Sequence, residues 1–217
     1  MEPQLDQVEV RILGCLIEKD ITTPEYYPMT MNALVNACNQ KSNRDPAVSW
    51  DEDVVSDSVD SLRAKRLIAS LTGGGNRVAK YGQRVQEMLN LGRREIAVLA
   101  ELMLRGPQTL GELRDRAGRM HKFNDTEEVE RVLTHLHGHA SGPLAMQIPR
   151  LPGQKEARYI HLLSGEPDLA SLAAAAESGP ARAHGSAELE QRVQALEAEV
   201  RDLRALVGRM AAELGVE

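Results

Sequence analysis

The chain has 217 residues, of which 42% are hydrophobic and only 3% aromatic, and its 26 basic and 32 acidic side chains give a formal net charge of −6. This is an ordinary soluble composition with an aliphatic core, long enough for two small domains and a tail; it excludes disordered and fibrous classes, and no apolar run approaches the roughly 20 residues that span a bilayer. The N-terminus, MEPQLDQVEV, is acidic where a secretion signal is basic, and two cysteines (Cys15 and Cys38) are too few for a disulfide scaffold, so a cytoplasmic protein with reduced thiols and no membrane partner is expected.

The chain repeats itself. Val10–Lys19 (VRILGCLIEK) matches Ile96–Arg105 (IAVLAELMLR), with Glu9 on Glu95, and both read as amphipathic helices; Asp6 is the expected cap of the first. Thr30–Leu34 then matches Thr109–Leu113, a threonine cap before a short helix in each copy. Asp51–Leu62 (DEDVVSDSVDSL) matches Asp125–Leu136 (DTEEVERVLTHL), placing Val55, Val59 and Leu62 on Val129, Leu133 and Leu136. Finally Gly75–Tyr81 matches Gly153–Tyr159, both Gly-x-basic-x-Ala-basic-Tyr; each follows a short apolar stretch and a Gly- or Pro-rich turn, the pattern of a β-hairpin. Three helices and a hairpin, twice over, predict a mainly α fold with small β-hairpins (α+β) made of tandem winged helix-turn-helix domains at 1–88 and 89–165.

After Leu163 the pattern changes. Residues 166–185 are rich in Ala, Gly and Pro and read as a linker, whereas 186–217 read as a long helix. Its apolar positions Leu189, Val193, Leu196, Val200, Leu203, Val207, Met210 and Leu214 alternate in steps of four and three, with Val at a and mainly Leu at d, which favours a parallel two-stranded coiled coil and hence a homodimer. A trimer, or a helix packed back on its own chain, fits the same stripe. The acidity is uneven: residues 91–165 carry 11 basic and 9 acidic groups, and residues 166–217 carry 5 and 10.

The run Leu34–Pro46 (LVNACNQKSNRDP), with CLIEKDITTPEYYP before it and SLRAKRLI after it, resembles the YceH family of bacterial proteins, and so do Leu102–Thr109, GELRDRAGRMHKF and PGQKEARY further on. The resemblance covers residues 5–163. It implies a tandem winged-helix protein of the bacterial cytoplasm and carries no assigned activity.

Candidate contacts follow from residue type. In the loop Asn39–Trp50, the side chains Asn39, Gln40, Lys41, Ser42, Asn43 and Arg44 suit base edges and phosphates, or alternatively form a polar cap on two helix ends with Arg44 and Asp45 in local pairs. The wings offer Arg77, Lys80, Lys155 and Arg158 to backbone phosphates, with a solvated face as the alternative. The third helices argue the other way: Asp51, Glu52, Asp53, Asp57 and Asp60 in one copy, and Asp125, Glu127, Glu128 and Glu130 in the other, would repel phosphates at the groove-entering element. His135, His137 and His139 alternate without a convergent carboxylate or thiol, and there is no phosphate loop, dinucleotide fingerprint or hydrolase elbow. The expectation is therefore a non-enzymatic protein without metal or cofactor. Its function is DNA binding, as in a transcriptional regulator, or alternatively a protein-interaction adaptor like the winged-helix ScpB-like subunits of bacterial chromosome-condensing complexes, with no direct DNA readout.

Overall fold

The computed structural model describes residues 4–73, 76–150 and 154–177. Helix α1 (Gln7–Thr22) starts at a capping box: the Asp6 carboxylate accepts from the N–H groups of Val8 and Glu9, both at 2.8 Å, and the Glu9 carboxylate accepts from the Asp6 N–H at 2.9 Å. A 3-10 turn (Pro24–Tyr26) and a two-residue strand β1 (Met29–Thr30) lead into α2 (Met31–Cys38), capped by Thr30. After the polar loop come α3 (Glu52–Ala64), β2 (Ile68–Gly73) and β3 (Asn76–Gln83). A one-turn helix α4 (Val85–Met88) precedes the second copy: α5 (Arg93–Arg105), α6 (Leu110–Ala117), α7 (Thr126–His137), β4 (Ala145–Ile148) and β5 (Arg158–His161). Thr109 and Glu112 form a second capping box at α6.

The order of three helices and an antiparallel hairpin thus occurs twice. The copies also match in their contacts. The Glu9 carboxylate accepts from Ser61 at 2.7 Å, tying α1 to α3, and Glu95 pairs with His135 at 3.2 Å, tying α5 to α7 at the equivalent positions. Tyr81 and Tyr159 both face the segment before the second helix of their copy. In the first copy this makes a third strand, in the order β1-β3-β2 with Met29 opposite Tyr81; in the second it shrinks to a bridge between Gln108 and Tyr159.

Amphipathic spacing predicts one buried stripe on α1 and on α5. Instead residues 9–18 and 96–104 are buried without interruption. The reason is that these helices pack on each other as well as on their own copies. Gly14 marks the close approach: a Cβ there would lie 2.9 Å from Leu104 Cδ2 and 3.2 Å from Met103 Cβ. The buried apolar side chains of both copies form one cluster, through Leu13, Leu16, Leu62, Leu99, Leu102 and Leu136 among others, and residues 1–168 make one compact unit. A second unit, residues 169–217, is described only over α8 (Leu169–Glu177). The expected coiled-coil seam, Leu189 to Leu214, lies outside the described residues. Among the described residues no helix is long and apolar enough to cross a membrane.

Candidate functional site

The polar loop after α2 folds inward. The Asn39 side-chain amide donates to the Trp50 carbonyl at 2.7 Å and its oxygen accepts from the Trp50 N–H at 2.9 Å, so one side chain pins both ends of the loop. The Arg44 side chain is fully buried: Nε donates to the Ala37 carbonyl at 3.1 Å, and the two terminal nitrogens meet the Glu18 carboxylate, with Gln40 Oε1 accepting at 3.1 Å. Asn43 Oδ1 accepts from Arg105 at 3.1 Å, and the Asp45 N–H donates to the Leu104 carbonyl at 3.0 Å, satisfying one of the carbonyls that the end of α5 leaves open. The loop therefore straps the first copy to α5 of the second.

Beneath it lies an ionic cluster shared by both copies. Glu18 also contacts Arg119, whose guanidinium reaches Glu101 at 2.7 Å, and Arg105 lies 3.1 Å from the other Glu101 oxygen. Glu18 and Glu101 are almost wholly buried. Burial pushes the Glu101 carboxyl up, against the pull of Arg105, Arg116 and Arg44. Such charges are tolerated inside a protein only when each has its partner in place.

Of the candidate nucleic-acid contacts, Asn39, Gln40 and Arg44 thus have partners within the strap; Asn39 and Gln40 are half-buried, and the buried Arg44 has no face to offer a phosphate. Lys41 and Ser42 are exposed, with no partner among the described residues. On the wings, Arg158 is held by the Pro107 carbonyl at 2.8 Å and by Glu112 at 2.9 Å, and Glu112 is itself the capping-box carboxylate of α6; the cation completes a helix start. Lys80 is half-buried beside Thr30 and Leu71, Lys155 is exposed, and the Arg77 side chain lies outside the described residues. The outer face of α3 shows Glu52, Asp53, Asp57 and Asp60 to solvent, and Arg63 pairs with Asp60 at 2.8 Å. On α7, Glu127 and Glu130 are exposed, while Glu128 turns in to accept from Asn124.

The three histidines separate: His135 pairs with Glu95, His137 meets the Ala145 carbonyl at 3.1 Å and His139 the Leu89 carbonyl at 2.8 Å. Cys15 and Cys38 are both buried, and the Cys15 thiol donates to the Ala37 carbonyl at 3.3 Å. Burial raises the Cys15 thiol, but a hydrogen bond with Cys38 and the charges of Arg44 and Arg11 outweigh it and bring it down to about 7, while Cys38 is raised.

Sequence reasoning passed over Glu18, Glu101 and Arg119, because a charge within a helix reads as a solvated one until its partners are known. It also passed over His161. Burial lowers this ring to about 4, below its ordinary value near 6.5. Because the folded value is depressed, its contribution to stability is full above pH 6.5 and is lost as pH falls toward 4. The urea midpoint of the wild type should fall more steeply across that window than that of His161→Phe; parallel slopes would remove the assignment.

The family model described as "Protein of unknown function, DUF480" matches residues 5–154. A "UPF0502 protein" of Citrifermentans bemidjiense is 55% identical over 193 residues, 88% of this chain and 89% of that protein. Another, of Geobacter sulfurreducens, is 51% identical over 203 residues, 94% and 91% of the two chains. "UPF0502 protein YceH" of Salmonella paratyphi A is 43% identical over 219 residues, 99% of this chain and 100% of that one. With its repeat, its strap loop and these relatives together, the chain belongs to the uncharacterised YceH family of bacterial proteins, DUF480 or UPF0502.

Proposed function

We propose that the chain is a non-enzymatic protein-interaction scaffold, built from two winged-helix modules and presenting the acidic outer face of α3 to a basic surface on a protein partner. The observation that carries this reading is the direction of the charges. Arg44 and Arg158, which were candidates for phosphate, sit on Glu18 and Glu112, whereas Glu52, Asp53, Asp57 and Asp60 face outward on the helix that would enter a DNA groove. Such a field steers a cationic partner and repels nucleic acid. The test is co-purification from a native host, comparing the tagged full chain with Asp53→Lys/Asp57→Lys. A protein retained by the wild type and reduced about tenfold in the variant, at unchanged helicity, supports the reading; co-purifying nucleic acid, or retention indifferent to the charge reversal, overturns it. The second reading, DNA contact, rests on Lys80, Lys155 and Arg77 of the wings and on Lys41 of the loop.

The Val/Leu repeat from Leu189 to Leu214 supports a parallel homodimer that would double the scaffold's valence. Sedimentation of the full chain should give a dimer, and of a chain ending at Ser186 a monomer. Equal mass per particle for both would end this proposal.

A further inference from the structure

Where the strap loop, α1, the end of α5 and the end of β5 meet, they line a partly open pocket of about 180 Å³. Its polar rim comes from Gln7, Asp45 and Ser164, all exposed, and from the half-buried Trp50, whose side chains have no hydrogen-bond partner among the described residues. His161 also lines it, and its Nδ1 is buried with no partner among the described residues. The walls between these groups are apolar, from Val10, Val48 and Met103. Gly106 at its edge takes φ +69°, and a Cβ there would meet nothing within 4 Å.

The charge of the lining decides what could enter. Arg11 is the one cation, and its guanidinium already donates to the Pro46 carbonyl at 2.8 Å and lies 6.0 Å from the Trp50 ring centroid. An anion would face Asp45 and find Arg11 engaged; a cation would face Arg11. His161 is neutral at pH 7, burial having lowered it to about 4. The lining suits an uncharged molecule with donors and acceptors on its rim and an apolar face for Trp50. The volume falls below the roughly 300–1,000 Å³ of sites for drug-sized ligands, so it takes one ring system and not a nucleotide.

We propose that this pocket binds a small uncharged nitrogen heterocycle of nucleobase size, with its face on Trp50 and its rim on Asp45, His161 and Ser164. Since the walls come from both copies, occupancy stabilises the junction by mass action. This site is independent of the α3 face and stands or falls separately from the scaffold reading.

Trp50 is the sole tryptophan of the chain and lines the pocket, so under folding conditions its fluorescence follows occupancy there. The experiment titrates the full chain with adenine, cytosine and uracil, with benzoate as an anionic ring of similar size. Saturable quenching by at least one base at millimolar concentration or below is expected, with none by benzoate. The same base should bind about tenfold more weakly to His161→Phe and to Asp45→Ala, the loss of one hydrogen bond. Asp45→Ala leaves the backbone N–H that caps α5 in place, so it serves if the histidine variant fails to fold. No saturable change with any base, a preference for benzoate, or equal affinity of the wild type and Asp45→Ala would overturn the proposal.

Discussion

Glu18→Ala is expected to lower the free energy of unfolding by about 3–5 kcal/mol, the cost of stranding a buried charge. Without Glu18, the Arg44 guanidinium keeps only the Ala37 and Asn43 carbonyls and the Gln40 amide, in a position with 0% side-chain exposure. Arg119 keeps Glu101, so the loss falls on Arg44. Removing the charge at both positions, as in Glu18→Leu/Arg44→Met, should recover much of the stability, since a buried pair replaced by apolar groups of similar volume is often neutral. Urea unfolding of Glu18→Leu, Arg44→Met and the double gives the coupling. A cost below about 1 kcal/mol for Glu18→Ala, the range of a surface pair, would show that the cluster is solvated and the strap not closed.

Leu99→Ala should cost about 2–5 kcal/mol, for lost burial and the cavity left on α5. Leu99 is 0% exposed and belongs to the second copy, whereas Trp50 belongs to the first. Because one hydrophobic cluster runs through both copies, the Trp50 fluorescence transition should shift by the same amount as the loss of helicity. A variant whose helicity melts earlier while the Trp50 transition stays in place would mean that the copies fold independently.

The repeat made most of this architecture legible. Helix starts at Asp6, Thr30 and Thr109 and both hairpins follow from local chemistry, capping oxygens and Gly- or Pro-rich turns, and the threonine cap and the hairpin turn each occur twice. The elements that escaped are those without a local signal. Strand β1 is two residues long and exists through the pairing of Met29 with Tyr81 and of Thr30 with Lys80, on a strand far later in the chain. Helix α4 is a single turn, held where Val85, Leu89 and Leu91 bury themselves. At the strap loop the residue types leave the direction of their hydrogen bonds open, because Asn, Gln and Arg bind a base edge and a helix end with the same atoms. What turns Arg44 inward is Glu18, 26 residues earlier on α1, together with Glu101 and Arg119 from the other copy. The uninterrupted apolar character around Glu18, with Leu13, Leu16 and Ile17 beside it, was the available sign that this carboxylate needed a buried partner.

The most direct test of a scaffold that does not read DNA is the anisotropy of labelled genomic duplex fragments titrated with the full chain at about 50 mM and about 200 mM salt. Arg44 and Arg158 engaged by Glu18 and Glu112, and the acidic side chains outward on α3, predict no saturable binding even at the lower salt. Tight binding at about 50 mM that weakens steeply by about 200 mM, with a log–log slope made shallower by roughly one unit for each of Lys80→Ala and Lys155→Ala, would contradict it and assign the wings to phosphates.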